Sequence, residues 1–409
     1  MPWTLRRAAL VTLVAAQGSC LVGAFFVPAA LDALTHVSSP GRLRGAPLRM
    51  MSGETVPITR RETLARGALG AAGLVLGKKF FDGGSWTGTP DLTGRTIVVT
   101  GGNTGLGKET CERLARLGAT VIIGSRSATR GVAAASDVAQ ATSSDKVSSM
   151  VLDLADLKSV EAFAAAFAKE HDKLDVLVNN AGVMAIPTRE ETADGFEKQV
   201  GINHFGHFYL TNLLMPQIKA AGRATGDARI INLSSQAHQI AFNGMNFDDL
   251  QSQKEYDPWK AYGQSKLANV LFSRELSRRL AESKDGATVS TASCHPGVVR
   301  TELGRNFFIP PSMCDAAGSV ECKGQLPTVA MYAGAVALPF MIYSTKDVHQ
   351  GAMTQVRLAA DPELKGKLGG NFFMDCAEAG TSGPGRDMVA AARLWKISEQ
   401  SVTGRPFVV

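Results

Sequence analysis

From Arg95 onward, short apolar runs alternate with longer amphipathic ones. RTIVVTG is followed by an amphipathic stretch at 106–117, ATVIIG by 127–140, VSSMVLDL by 156–170 and LDVLVNN by 202–221. The alternation continues with RIINLSS, then 259–281, and then TVSTASC. Continuous apolar runs of this length are strands buried on both faces, and the stretches between them carry the period of helices packed by one side. Strand and helix in alternation predict an α/β fold, a single doubly wound domain whose parallel sheet is covered by helices on both faces. That domain is expected over 91–409, with Gly83-Gly84-Ser85 and Pro90 marking the linker into it.

Composition agrees: 409 residues, 45% hydrophobic and 20% charged, are those of a soluble globular protein. The formal net charge of +6 changes meaning once it is divided along the chain. Residues 1–90 carry ten Lys and Arg against four Asp and Glu, whereas 91–409 carry 33 of each. The basic excess belongs to the leader, so the folded body offers no electrostatic argument for nucleic acid as a partner.

The leader reads as targeting sequence. Arg6 and Arg7 precede an apolar run ending in small residues, with Val22 and Ala24 placed for cleavage before Phe25, which predicts a signal peptide over 1–24. The stretch after it is rich in Ser, Arg and Pro, with Asp32 its only acid before Glu54, the bias of a transit peptide within 25–90. Arg60 and Arg61 then stand ahead of a short apolar run, as in a twin-arginine signal. The other reading of 59–79 is a basic amphipathic linker or membrane-surface anchor; Gly67 to Gly77 is too short to span a bilayer. The order resembles the bipartite leaders of algae with complex plastids, which implies a plastid destination, with the twin arginines pointing on to the thylakoid.

Candidate chemistry begins at TGGNTGLGKET, 100–110, straight after the first strand and at the start of the first helix. Glycines there permit a tight turn whose backbone N–H groups reach a pyrophosphate at the helix N-terminus, the dinucleotide-binding device of a Rossmann domain. Thr100, Gly101, Asn103, Thr104, Gly105, Leu106 and Gly107 make up this turn. The second strand ends in Gly124-Ser125-Arg126, nineteen residues past Gly107, where an acid for the ribose 2′-hydroxyl is usual. A cation there suits a 2′-phosphate and so NADP(H) over NAD(H); the alternative is a solvated loop arginine. Asp153, with Leu154 after it, is placed to meet the adenine or to cap the next helix. Tyr262 and Lys266 lie four apart on one helical face, where an ammonium can favour phenolate and prepare the tyrosine for acid–base work. His204, His207, His238 and His295 lack ligand spacing with nearby Cys or carboxylates, so no metal is expected and they read as packing or loop histidines. Cys111, Cys294, Cys314, Cys322 and Cys376 form no metal pattern; they read as thiols, with a local Cys314–Cys322 disulfide as the alternative in a lumen.

TGGNTGLG, the NNAG of Asn179 to Gly182, Ser235 of INLSS, Y-x-x-x-K and the HPGVVRT of 295–301 stand in the order found in the short-chain dehydrogenase/reductases. The chain resembles that family over about 95–400. INHFGHFYLTNLL, FDDLQSQKEYDPWKAYGQSKLANVLF, HPGVVRTEL and NFFMDC are similar to its retinol-dehydrogenase-like branch and the plastid relatives of that branch. The resemblance implies that Tyr262 exchanges a proton with the substrate oxygen, that Lys266 lowers its pKa and holds the nicotinamide ribose, and that Ser235 polarises the carbonyl. Ser235 is preferred to Ser234 because the family's serine is the second of the pair. Asn203 would hold a water in a proton relay. Asn179, Ala181 and Gly182 would floor the cofactor, and Pro296, Gly297, Val299 and Thr301 would seat the nicotinamide.

A lid is expected over about 302–350. Its Phe307, Phe308, Ile309 and the run PTVAMYAGAVALPFMIY suggest a lipophilic carbonyl or alcohol reached at a membrane surface, or else a buried core helix or a homo-oligomer contact. The expected function is an NADP(H)-dependent oxidoreductase interconverting a carbonyl and an alcohol on a retinoid-, isoprenoid- or pigment-like substrate. The alternatives are a light-dependent protochlorophyllide reductase and a non-catalytic NADP(H)-binding redox regulator associated with plastid import.

Overall fold

The computed structural model describes residues 78, 82–283, 288–299 and 345–402. The leader up to residue 77, Thr301, Cys314, Cys322 and most of the expected lid lie outside the described residues. Among the described residues one eight-stranded sheet runs in the order β3-β2-β1-β4-β5-β6-β7-β8. The strands are β1 Thr96–Thr100, β2 Thr120–Ser125, β3 Val147–Val151, β4 Val176–Asn179, β5 Ala228–Leu233, β6 Val289–His295, β7 Phe372–Met374 and β8 Ala377–Ala379. Every pairing is parallel except that of β8 with β7. The chain starts in the middle of the sheet, builds outward to β3 and returns to β4, so the order reverses between β1 and β4. A crevice opens at the carboxyl ends of strands at such a reversal.

The helices α1 Gly105–Arg116, α2 Ala128–Thr142 and α8 Val348–Ala360 cover one face. The other is covered by α3 Leu157–Glu170, α5 His207–Leu213, α6 Met215–Thr225, α7 Pro258–Glu282 and α9 Met388–Val402. A one-turn helix, α4 Lys198–Val200, precedes α5. On the second face Trp395 meets Phe208 edge-on at 4.9 Å and leans on Phe272 at 5.8 Å, all fully or nearly fully buried. Each such side chain removed from water contributes about 2 kcal/mol, which holds α5, α7 and α9 in one layer.

Local chemistry starts the helices where the pattern predicts. Ser127 caps α2 by accepting from Arg130 N, Asp156 caps α3 through Lys158 N, and Asp257 accepts from Trp259 N and Lys260 N at the head of α7, with Pro258 at its first position. Asp347 and Gln350 form a reciprocal capping box on α8. Thr104, ahead of α1, makes no side-chain cap.

Two expectations change. The helix expected over 202–221 is broken: Gly201–Gly206 is a π-helical turn, and the chain re-enters a helix at Met215 because Pro216 suits only a first turn. The sheet is not wholly parallel, since β8 returns antiparallel through a turn at Asp375 and Cys376, both at positive φ.

Candidate active site

At the end of β1 the backbone turns through Gly101, at φ +65°, and α1 begins at once. A Cβ on Gly107 would lie 2.3 Å from Gly101 O and 2.6 Å from Asn180 Nδ2. Only hydrogen fits, so α1 rests flat on the turn, and its first N–H groups, uncapped by Thr104, face the crevice. Asn103 and Thr104 line a cleft of about 240 Å³ with Arg130, Ala133, Ala134 and Asp137. Arg126 is exposed at the start of the loop after β2. Open donors at a helix N-terminus, a turn too close for side chains and Arg130 in the cleft wall suit an anionic dinucleotide.

Other expected cofactor residues sit differently. Ser125 is buried and its hydroxyl donates to Ser127 O at 3.0 Å. Asp153 Oδ1 accepts from Ala155 N at 2.9 Å, closing its own turn, while Asp156 caps α3. Leu154 is buried in the core, and its carbonyl lies close against Gly206, where a Cβ would come within 2.6 Å of it. Asn179 needs correction. Its Nδ2 donates to Thr211 Oγ1 at 3.0 Å and to Asn232 Oδ1 at 2.8 Å, so it braces β4 against α5 and β5. The neighbouring Asn180 supports the glycine turn instead, donating to Thr100 O at 2.8 Å. The strand alternates faces, so one residue's difference in register exchanges the two roles. A Cβ at Gly101 would lie 3.1 Å from Ala181, and one at Gly182 would lie 3.1 Å from Asn203 Oδ1 and 3.5 Å from Lys266 Nζ. Ala181 and Gly182 thus lead from the turn to the reacting groups.

Those groups meet where β5 ends and α7 begins. Ser234 is buried and donates to Lys266 O at 2.7 Å, tying strand to helix. Ser235 is the serine bonded to the Tyr262 side chain, and it accepts from Ala237 N at 3.1 Å, so its own proton remains for donation. Asn203 is fully buried in the π-helical turn, holding Val183 from both sides at 2.9 and 3.0 Å and donating to Ser265 Oγ at 2.9 Å. Ser265 passes the bond to Tyr262 O at 2.8 Å.

Electrostatics here differs from the sequence expectation. Burial pushes the Tyr262 phenol up to about 12, and the bond from Ser235 pulls only weakly the other way. Lys266 Nζ stands 5.6 Å from the Tyr262 ring centroid and donates to Leu233 O at 3.0 Å. In the protein alone, therefore, burial sets the phenol and the Ser235 bond is what opposes it. Burial also takes the Lys266 ammonium down to about 8 from its ordinary 10.5. Between those values the unfolded chain binds more protons, so native stability rises with pH across that window. Wild type should gain about 2 kcal/mol over Lys266→Met between pH 7.5 and 9.5. Denaturant midpoints of the two proteins moving in parallel would count against this.

At the far end of β6, Pro296 and Gly297 lead to Val299, which bridges to Lys346. A Cβ on Gly351 of α8 would lie 2.5 Å from Val299 Cγ2 and 2.7 Å from Leu106 Cδ2, so α8 joins the Pro-Gly loop to the glycine turn. Gln355 of α8 is a participant sequence reasoning missed. It donates to Leu106 O and Asn180 Oδ1, both at 3.3 Å, and to Thr110. His204 bonds Ser398 Oγ at 2.8 Å and His238 bonds Ser235 O at 2.7 Å. Cys111, Cys294 and Cys376 are free, buried thiols.

Residues 95–309 match the family model described as short chain dehydrogenase. Retinol dehydrogenase 12 of Mus musculus is 40% identical over 323 residues, 78% of this chain and 90% of that protein. Retinol dehydrogenase 13 of Homo sapiens is 39% identical over 353 residues, 86% of this chain and 96% of that protein. Among solved structures, an uncharacterised protein from Mycobacterium paratuberculosis is 33% identical with a TM-score of 0.58, covering 80% of this chain and 100% of that one. A Pseudomonas aeruginosa RhlG/NADP complex, 22% identical with a TM-score of 0.52 over 73% of this chain and 100% of that one, shares the fold.

Proposed function

The chain belongs to the short-chain dehydrogenase family, and on that premise we propose an NADP(H)-dependent interconversion of carbonyl and alcohol on a lipophilic, retinoid- or isoprenoid-like substrate. Its class, an oxidoreductase acting on CH–OH with a nicotinamide dinucleotide, follows from the family and these relatives. The observation that carries the reading is the half-buried Ser235 bonded to Tyr262, with Tyr262 and Lys266 both buried at the crevice.

When bound, the dinucleotide supplies the hydride in reduction and accepts it in oxidation. Tyr262, neutral at physiological pH because it is buried, gives its proton to the substrate oxygen in reduction. The Ser235 hydroxyl donates to the same oxygen and stabilises the charge that develops there. One N–H of Lys266 is held by Leu233 O, which fixes the ammonium over the crevice floor at Gly182. In oxidation the substrate hydroxyl must lose its proton, so the same Tyr262 serves as base in its phenolate form, once its own proton has left.

Arg126 supports NADP(H): it is exposed directly after β2, where its guanidinium can fork onto a 2′-phosphate. Arg126→Asp should raise the Michaelis constant for NADPH about tenfold or more and change that for NADH little. Equal changes for both would remove the preference. A lipophilic substrate is supported by the named activities of the relatives and by the apolar composition of 302–344. Access from a membrane surface and delivery to a plastid belong to the same proposal; mass spectrometry of the native N-terminus tests the latter. Purified protein should oxidise or reduce members of a panel of retinoid and isoprenoid alcohols and aldehydes with NADP(H). Absence of turnover across that panel would overturn the substrate class.

A further inference from the structure

We propose that His207 is a positioning residue that joins the dinucleotide turn to the catalytic tyrosine's support, one ring nitrogen serving each. His207 is the first residue of α5, four positions after Asn203, and is buried. Its Nδ1 lies 3.1 Å from Asn203 O and its Nε2 lies 2.9 Å from Thr100 Oγ1. A carbonyl oxygen only accepts, so Nδ1 carries the proton and Nε2 is bare. Nε2, at 2.9 Å, then accepts from the Thr100 hydroxyl in preference to the more distant Val178 O at 3.5 Å. The Thr100 oxygen in turn takes the N–H groups of Asn180 and Ala181, each at 2.9 Å. Every polar atom in this chain of bonds has a partner, and only one tautomer satisfies it. Burial keeps the ring neutral by taking it down to about 4.

The two ends do different work. Thr100 is the last residue of β1 and sets where the glycine turn begins. Asn203 grips Val183 and, through Ser265, the backbone of Tyr262. The π-helical turn presents the Asn203 carbonyl to the ring, so the imidazole fixes that carbonyl from below while holding the strand end beside it. Loss of the Nε2 bond should loosen the turn that receives the dinucleotide, and loss of the Nδ1 bond should loosen Asn203 and with it the tyrosine.

This division rests on the proposed oxidoreductase reading, and two variants of the full chain separate its arms. His207→Asn keeps a short amide donor for Asn203 O and cannot reach Thr100. His207→Gln places an amide oxygen near Thr100 and gives up the bond to Asn203. The first should weaken dinucleotide affinity, read by fluorescence titration without substrate, about tenfold and leave turnover at saturating dinucleotide within about threefold, the scale of one hydrogen bond. The second should show the reverse. Two variants that lose the same quantity, or neither, overturn the proposal. Nitrogen NMR of the wild-type imidazole decides independently of folding in either variant: a proton on Nδ1 is expected, and a proton on Nε2 overturns it. If wild type turns over no lipophilic carbonyl or alcohol, the proposed substrate class fails, while the affinity and tautomer measurements still decide the role of His207.

Discussion

Tyr262→Phe is expected to lower turnover at saturating substrate by about a thousandfold or more and to leave dinucleotide affinity within about threefold. The substitution removes one hydroxyl from a buried site and keeps the ring, whose edge packs against Trp259 at 6.1 Å. Ser235 retains its bond from Ala237 N, and Lys266 retains Leu233 O, so the site stays assembled without its proton donor. Water cannot take the hydroxyl's place easily, because Tyr262 is only 4% exposed. Paired measurements of turnover and of dinucleotide titration check this. A loss under tenfold would mean that another group handles the proton; a comparable loss in affinity would mean that Tyr262 is a binding residue.

Gly107→Ala should weaken dinucleotide affinity about a hundredfold and lower the melting temperature. The added methyl would meet Gly101 O at 2.3 Å, and that oxygen belongs to backbone that is itself bonded to β2 through Gly101 N and Gly124 O at 2.8 Å. Neither side can rotate away. The helix must lift, and the uncapped N–H groups of α1 move out of line with the turn. Strain of this kind costs about 3 kcal/mol, and the ligand that depends on the geometry loses it in full. Gly380→Ala is the control, since a Cβ there meets nothing within 4 Å and should change neither quantity. Wild-type affinity in the Gly107 variant would show that the turn does not seat the dinucleotide.

Much of the architecture could be read from the chain because parallel strands buried on both faces leave an unmistakable apolar run, as in TIVVT and TVIIGS. The edge strand β3 was recognisable only by alternation with its neighbours, since its serines and its half-exposed Val151 break the run. The three-residue β8, AEA, carries no pattern at all. At the site, residues set by local motifs were legible: the glycines of the turn, and Tyr262 one turn after Pro258. Residues recruited across the fold were not. Gln355 reaches the glycine turn from 249 positions away. His207 meets Thr100 across 107 positions and looks like a helix histidine until the strand end is known. The choice between Asn179 and Asn180 depends on which face of β4 each occupies, and at the end of a four-residue strand that is a matter of a single step.

The π-helical turn at Gly201–Gly206 gives the site a particular fragility. A helix wound this way holds one residue more per turn than its neighbours need, and deleting that residue would let the segment relax into ordinary α-helix. The shortened chain would fold with better backbone geometry and its Asn203 swung about 100° around the axis, away from Val183 and Ser265. Backbone comfort and the placing of Asn203 therefore pull on this segment in opposite directions.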